Sequence, residues 1–334
     1  MYSYTNAILT GGEGVSDAEN TVLNGKTKSN LEKLFVKEAR LAELRICELS
    51  ALADGIVDFV SDMSEDGLAL YELLPLISEE LMASHTSDLD LSDHLLENES
   101  RIRYLADVTE NLDRAVLSAL ITEKCAERAS PISESRILYS APTPLTFAYL
   151  KNAYSDEAYD VFTYNLPSAA VYKYTSDLKE AAKAVFDGEC GYCLMPLEEM
   201  GTRIASVSEL MATFDLKIND VSSVIGFDGS QDMKYAMLSR GYNVPPREED
   251  DDRYLEIRHP ASSENGLSDI IFAAMALGHK IYRLNTAKVR STNKDEIYYS
   301  LVLRDDFRDF SAILLYLSLF SPDTSVVGIY KNLE

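Results

Sequence analysis

Cysteine and histidine are the residues of this chain whose spacing is most informative about chemistry. Cys190 and Cys193 form a single C-x-x-C pair, whereas a structural zinc site needs four ligands, and neither a second pair nor a nearby histidine supplies them. Residues 189–196 predict a strand, on which two side chains three apart point to opposite faces. We therefore interpret both cysteines as buried apolar residues, and we expect neither a metal ion nor a cofactor.

The four histidines offer no site either. His85, His94, His259 and His279 form no Ser-His-Asp or His-x-x-x-His pattern. His279 follows the end of a predicted helix, where the helix dipole favours a positive charge, so a capping role is the simplest interpretation.

Acidic residues dominate the charge of the chain. The sequence has 55 Asp and Glu against 31 Lys and Arg, for a formal net charge of −24. The negative electrostatic potential that this charge produces repels phosphate backbones and anionic lipids. Nucleic acids and membranes are therefore not expected as partners. No apolar stretch reaches the roughly twenty residues that span a bilayer, and no signal peptide pattern begins the chain. We therefore expect a cytoplasmic protein.

Composition and periodicity divide the chain into regions. Residues 1–30 are rich in Gly, Ser, Thr and Asn and predict a flexible arm. Apolar residues recur at three- and four-residue steps through residues 31–130, which predicts a helical bundle. Residues 46–100 contain fourteen Asp and Glu and no Lys or Arg. We expect this acidic bundle to serve oligomerisation or partner docking.

Strand and helix patterns alternate in the rest of the chain, which favours an α/β (α+β) fold class. Within residues 135–247 we predict strands over 136–140, 160–164, 190–195 and 217–225 and helices over 146–153, 176–186 and 206–213. Within residues 252–334 we predict a ferredoxin-like βαββαβ unit. Its strands are expected over 254–258, 280–287, 297–303 and 325–330, and its helices over 268–277 and 307–320.

The first of these α/β regions resembles one lobe of a prephenate dehydratase. A helix closing on Gly188-Glu189 leads into a strand that ends in Pro196-Leu197-Glu198-Glu199, where that family has Pro-Ile-Glu-Asn-Ser. Thr146-Phe147 is similar to the Thr-Phe of the family's opening loop, and Asp252-Arg253-Tyr254 to its Thr-Arg-Phe motif. The resemblance implies a single periplasmic-binding-protein-like lobe. If the chain is active, its catalytic residues would be Thr146, Glu198 and Arg253.

Departures from the family pattern predict that the chemistry has been lost. Glu199 and Met200 stand where the family has an amide and a hydroxyl, so a donor to a carboxylate is replaced by an anion. Asp252 stands where the family has its catalytic threonine. Residues 227–251 are also too few for the second lobe that would close a cleft. We therefore expect a reduced, degenerate relative.

The last region, residues 252–334, resembles the ACT domain that follows dehydratases and binds phenylalanine. Asn265-Gly266-Leu267 falls where that family has a Gly-Ala-Leu turn, and Asn285 lies on the second strand of the unit. The resemblance implies a homodimer and a ligand site, for which the candidate residues are Asn265, Gly266, Leu267, Ser268 and Asn285. Backbone N–H groups at a helix N-terminus suit a carboxylate. Gly266 is equally well explained as a simple turn residue.

Three functions are therefore compatible with the sequence. The first, which we favour, is a non-catalytic regulator that binds an aromatic amino acid or a similar carboxylate. The second is an active prephenate dehydratase, a carbon–oxygen lyase that forms phenylpyruvate in phenylalanine biosynthesis. The third is an interaction scaffold, in which the acidic bundle recruits a basic partner.

Overall fold

A computed structural model gives the fold of this protein. It describes residues 25–333 except 66–67, 85–98, 129, 142, 165, 167–169, 226–231, 248–251, 264–265, 291–294 and 306–308. Most of the predicted flexible arm, residues 1–24, thus lies outside the described residues. Internal contacts divide the chain into two units, Met1–Glu48 and Leu49–Glu334.

Three long helices occupy the region of the predicted bundle. They are α1 (Gly25–Glu65), α2 (Leu70–Ser84, with Pro75 inside it) and α3 (Glu99–Glu127). In the second unit, the apolar stripe of α1 packs against α2 and α3 through Leu49, Ala53 and Val57. In the first unit, the side chains of residues 32–48 of α1 are all exposed. None of the described helices is both long and apolar enough to cross a membrane.

The predicted lobe is an α/β structure. Its elements are α4 (Glu134–Ile137), β1 (Thr146–Leu150), α5 (Ala153–Thr163), β2 (Val171–Thr175), α6 (Leu178–Phe186), β3 (Tyr192–Glu199), β4 (Thr202–Arg203), α7 (Ala205–Thr213), β5 (Lys217–Ile225) and β6 (Asp232–Ser239). Strands β1, β2 and β3 are parallel, whereas β6 runs antiparallel between β3 and β5. Helix α6 begins two residues after the predicted start, because the Asp177 carboxylate caps it by accepting from Glu180 N.

Three predictions for the start of this lobe were wrong. The predicted strand over 136–140 is the short helix α4, the predicted helix over 146–153 is β1, and the predicted strand over 160–164 lies largely in α5. Strand β1 is explained by its Thr-Phe-Ala-Tyr-Leu sequence, since aromatic residues favour strands. Helix α5 then begins where Asn152 Oδ1 accepts a hydrogen bond from Ser155 N at 2.9 Å. Strand β6 was missed, and with it the antiparallel centre of the lobe.

The C-terminal region confirms the ferredoxin-like prediction. Its elements are β7 (Arg253–Pro260), α8 (Leu267–Ala276), β8 (Lys280–Arg290), β9 (Asp295–Arg304), α9 (Ser311–Phe320) and β10 (Ser325–Leu333). The strands lie in the order β10-β7-β9-β8, all antiparallel. Leu255 and Ile257 of β7 face α8 and α9 and share one apolar core with them.

The lobe and the C-terminal region share one sheet. The strand order is β2-β1-β3-β6-β5-β10-β7-β9-β8, with β4 paired to β3. The junction is the parallel pairing of β5 with β10, where Val221 lies opposite Asn332. Gly328 lies at an irregularity in β10. A Cβ atom at Gly328 would overlap the Ile218 carbonyl oxygen of β5, so a residue without a side chain is required there.

Gly328→Ala is expected to destabilise the protein by about 3 kcal/mol, because the added methyl group meets backbone that cannot rotate away. Urea unfolding of the variant beside wild type measures the loss. Gly55→Ala is the control, because a Cβ at that helical position meets nothing within 4 Å. If Gly328→Ala were no less stable than Gly55→Ala, the close approach of β5 and β10 would be disproved.

Asp220→Asn is expected to stabilise the protein above neutral pH. Burial raises the pKa of the Asp220 carboxyl to about 7, against the hydrogen bond from Val221 N and the charge of Lys331. Between about pH 4 and 7 the folded state therefore binds a proton that the unfolded state has lost, so wild-type stability falls as the pH rises. The advantage of the variant should grow across this range to about 4 kcal/mol. Urea unfolding at pH 4.5, 7 and 8.5 measures it, and a pH-independent difference would contradict the assignment.

Candidate ligand-binding site

One face of the C-terminal sheet carries a row of polar side chains. Arg258 of β7 lies opposite Ser300 of β9, which lies opposite Asn285 of β8. Directly paired residues of antiparallel strands point to the same face. The neighbouring Leu255 and Ile257 point to the other face, towards α8 and α9. The polar row therefore lies on the face that α8 and α9 leave open.

Helix α7 of the lobe covers this polar row and closes a pocket over it. Helix α7 packs against β8 and lines the pocket with Ala205, Ser208 and Met211. The cavity volume is about 440 Å³. Its remaining walls come from the hairpin before α7 and from three strands of the sheet: Thr202, Arg203, Glu256, Arg258, Asn285, Thr286, Ala287, Lys288 and Ser300. Three of these side chains are cationic, which concentrates positive charge in an otherwise strongly acidic protein.

Arg258 is the residue of this pocket best suited to an anionic ligand. Its guanidinium is partly buried and makes no hydrogen bond or ion pair with any other residue that the structure describes. Burial lowers its pKa, while the charges of Glu256 and Asp215 act in the opposite direction. A guanidinium presents several N–H donors in one plane and pairs with a carboxylate through two of them. Arg258 therefore has unused donors that face a pocket.

Arg203 and Glu256 of the pocket wall belong to a network of charges that extends to Glu198 and Arg283. The Met200-Gly201 turn, with φ of 48° and 73°, folds β4 back so that Arg203 lies opposite Glu198. Arg203 Nη2 then donates to Glu256 Oε1 at 2.7 Å, and Arg283 pairs with Glu198. The network thus joins β3 and β4 of the lobe to β7 and β8 of the C-terminal region.

Glu256 is the best-connected member of this network. In addition to Arg203, its carboxylate accepts hydrogen bonds from Ser300 Oγ at 3.0 Å and from Tyr330 OH at 3.1 Å. Burial raises the pKa of Tyr330 well above its ordinary value, so this hydroxyl keeps its proton and donates. Removal of one partner from a buried ion pair leaves the other charge unpaired, which is costly. Arg203 and Glu256 are therefore structural, and Arg258 is left for a ligand.

The structure places the three predicted catalytic residues apart. Thr146 Oγ1 accepts a hydrogen bond from Gly191 N at 2.8 Å, at the start of β1. Glu198 lies seven positions after Gly191, near the other end of β3, which is about 20 Å along the strand. Arg253 is buried beside Glu134 and pairs with it. Burial raises the pKa of Glu134, against the charge of Arg253 and the hydrogen bond from Phe310 N.

The predicted ligand residues are divided between the two faces of the C-terminal sheet. Gly266 is the N-cap residue of α8, and its N–H donates to Asp269 Oδ2 at 3.2 Å. Leu267 and Ser268 begin α8, the helix that packs on the Leu255 and Ile257 face, and Asn265 lies outside the described residues. Among the predicted residues that the structure describes, Asn285 alone lines the pocket.

Sequence reasoning missed Arg258 and Ser300. The sequence of β7 contains a pattern that points to Arg258, because polar Glu256 and Arg258 alternate with apolar Leu255 and Ile257. That alternation shows that these side chains share a face. Finding the pocket also required the cross-strand register and the position of α7, which no single strand contains.

Cys190 and Cys193 are buried as predicted. Both are free thiols, and burial raises the pKa of each. Within the described ranges, no group of three or more His, Cys, Asp or Glu could hold a metal ion.

Comparison with known proteins gives distant similarities to solved structures. The prephenate dehydratase from Streptococcus mutans is 12% identical with a TM-score of 0.45, covering 57% of this chain and 100% of that one. The prephenate dehydratase from Arthrobacter aurescens, solved in complex with L-Phe, is 14% identical with a TM-score of 0.40, covering 55% and 89%. GqqA, described as a novel type of quorum quenching acylase, is 15% identical with a TM-score of 0.40, covering 56% and 95%.

No protein-family model and no curated protein matches this sequence. At these identities and TM-scores, the solved structures do not identify a family for the chain. The ligands and activities of those proteins are therefore not transferred to this chain. Its function is inferred from the pocket itself.

Glu198→Gln is expected to destabilise the protein by about 3 kcal/mol, because it removes the charge that pairs with Arg283 inside the protein. Glu199→Gln is the matched control: Glu199 is the next residue of β3, its side chain is exposed, and its loss should cost less than about 0.5 kcal/mol. Urea unfolding at neutral pH compares the two. Equal effects would contradict a structural role for the network.

Proposed function

We propose that this protein is a non-catalytic sensor that binds an amino acid or a similar small carboxylate in the pocket beneath α7. The observation that carries this proposal is Arg258, a partly buried guanidinium that faces the pocket and makes no hydrogen bond or ion pair with another described residue. A carboxylate would satisfy its donors with two parallel hydrogen bonds. The ferredoxin-like unit supports the same role, because it is the arrangement that the resemblance to a regulatory ACT domain implies.

The rest of the pocket fits such a ligand. Ser300 lies beside Arg258 in the cross-strand row, and Asn285 lies on the far side of Ser300, so the row adds a hydroxyl oxygen and an amide to the guanidinium. Ala205, Met211 and Ala287 supply apolar surface for a side chain. A cavity of about 440 Å³ falls within the range of ordinary small-molecule sites, roughly 300–1,000 Å³.

Binding at this pocket would change the contact between the lobe and the C-terminal region. A ligand there touches α7 and the polar face of β7, β8 and β9 at once. A bound ligand therefore stabilises the conformation in which α7 lies against the sheet. Binding can alter the protein only to the extent that the ligand favours this conformation over others. We propose that this coupling is how the protein reports its ligand.

The positions of the predicted catalytic residues support a role without catalysis. General acid–base chemistry needs its groups within hydrogen-bond reach of one substrate. Thr146 contacts Gly191 just before β3, Glu198 lies near the other end of β3, and Arg253 pairs with Glu134 in the core. We therefore expect no phenylpyruvate from prephenate, and its formation would favour the dehydratase alternative.

The decisive experiment is a titration of wild type and two arginine variants with phenylalanine, tyrosine, tryptophan and prephenate. A ligand at a hundred times its dissociation constant stabilises the folded state by about 2.7 kcal/mol, which thermal unfolding detects. Arg258→Gln is expected to weaken binding by about thirtyfold, the equivalent of about 2 kcal/mol of charge-assisted hydrogen bonding. Isothermal titration calorimetry measures the dissociation constants directly.

Arg40→Gln is the control for this titration. Arg40 is an exposed arginine on α1, so its loss changes the net charge equally and leaves the pocket intact. The proposal is wrong if no carboxylate shifts the unfolding of wild type, or if Arg258→Gln binds as tightly as Arg40→Gln.

A further inference from the structure

An apolar groove lies between α1 and α2 in the second unit of the protein. Its volume is about 970 Å³. Leu52 and Phe59 of α1 and Leu76 of α2 line it, and these side chains are 41%, 40% and 50% exposed. Large apolar side chains grouped on one exposed surface mark an interaction site. The groove shares no lining residue with the pocket beneath α7, so it is a second site.

Gly55 opens the middle of this groove. It lies inside α1, three residues after Leu52 and four before Phe59, and it lines the groove. Glycine is among the least favourable residues inside a helix. A Cβ atom at Gly55 would meet nothing within 4 Å, so packing within the described part of the chain does not require a glycine there. A glycine does allow the backbone of another molecule to approach α1 closely.

The rim of the groove is acidic. Glu79 and Glu80 of α2 line it, and Asp62 lies one turn beyond Phe59 on the same side of α1. All three carboxylates are exposed, and none forms an ion pair with another described residue. Residues 46–100 contain fourteen Asp and Glu and no Lys or Arg. Helix α2 and this part of α1 therefore supply no cation to these carboxylates.

Charge discriminates between the possible occupants of the groove. A second copy of this chain that presented the same groove would bring Glu79 and Glu80 against their own counterparts, which is repulsive. The formal net charge of −24 opposes self-association in the same way. A basic occupant would instead find unpaired carboxylates around an apolar floor, which is the complementary arrangement.

We propose that this groove binds a basic amphipathic helix of another protein. Leu52 and Phe59 are seven residues apart, which is two turns and about 10 Å along α1. A helix in the groove matches this distance with apolar residues at positions i, i+3 or i+4, and i+7. Gly55 lets that helix lie close to α1. Lysine or arginine side chains beside its apolar face then reach Glu79 and Glu80.

A designed peptide tests the proposal. The probe is a fluorescent peptide about eighteen residues long, enough to form a helix, with leucine at positions i, i+3, i+4 and i+7 and lysine elsewhere. One control peptide has glutamate in place of lysine, and the other has the same composition in scrambled order. Fluorescence anisotropy should show that wild type binds the probe about tenfold or more tighter than either control. Absence of binding, or equal binding of a control peptide, would overturn the proposal.

Gly55→Leu tests whether the peptide lies in the groove. The added side chain enters open space, so it should fill the groove without destabilising the protein, which urea unfolding checks. Binding of the probe should weaken about tenfold or more. Ala126→Leu is the control, because Ala126 is exposed on α3 and lies outside the groove. If both variants bind the probe equally, the groove is not the site.

Reversal of the rim charges tests the basic character of the partner. The double variant Glu79→Lys with Glu80→Lys should weaken binding of the probe about tenfold. Glu123→Lys with Glu127→Lys is the matched control, since it changes the net charge equally at exposed positions of α3. Equal binding by the two double variants would show that the rim does not select a basic partner, and the proposal would be wrong.

Analytical ultracentrifugation distinguishes a partner helix from a second copy of this chain. Wild type and Gly55→Leu are expected to have the same mass in solution, because the groove is not used for self-association. If wild type is instead a dimer that Gly55→Leu converts to a monomer, a second copy occupies the groove and the proposal is overturned.

Discussion

Two buried glutamates and the two partly buried arginines that pair with them link the lobe to the C-terminal part of the sheet. Glu198 and Arg203 come from a hairpin of the lobe, and Glu256 and Arg283 come from the C-terminal region. A charge in a protein interior is tolerated only beside its partner. The lobe and the ferredoxin-like unit therefore cannot separate without leaving carboxylates and guanidiniums unpaired. The position of α7 over the sheet, and the pocket beneath it, follow from that pairing.

The same constraint gives the hairpin of β3 and β4 a structural role. Glu199 ends β3, and Met200 and Gly201 form the exposed turn that returns Arg203 to Glu198. Glu198 itself, a catalytic candidate on the basis of resemblance, pairs with two arginines inside the protein. This segment therefore supplies ion pairs to the C-terminal region, while the sheet itself is continuous through the pairing of β5 with β10.

The sequence predicted some parts of the fold well and others poorly, for physical reasons. The ferredoxin-like unit was predictable because each of its elements has a clear apolar periodicity and a turn residue at its end, such as Gly278 with φ of 88°. The exchange of helix and strand around residues 146–164 arose because short segments rich in tyrosine and phenylalanine satisfy both patterns. Asn285 was identified without its neighbour Arg258, because cross-strand register depends on the whole sheet rather than on any one strand.

The seam between β5 and β10 has a consequence for synthesis of the protein. Strand β10 is the last strand along the chain, yet it lies between β5 and β7, both of which precede it. While the ribosome makes the chain, these two strands emerge with unpaired N–H and C=O groups along the edges that β10 will fill. Such edges invite pairing with other nascent chains. The period of greatest aggregation risk therefore lasts until residues 325–333 have left the ribosome.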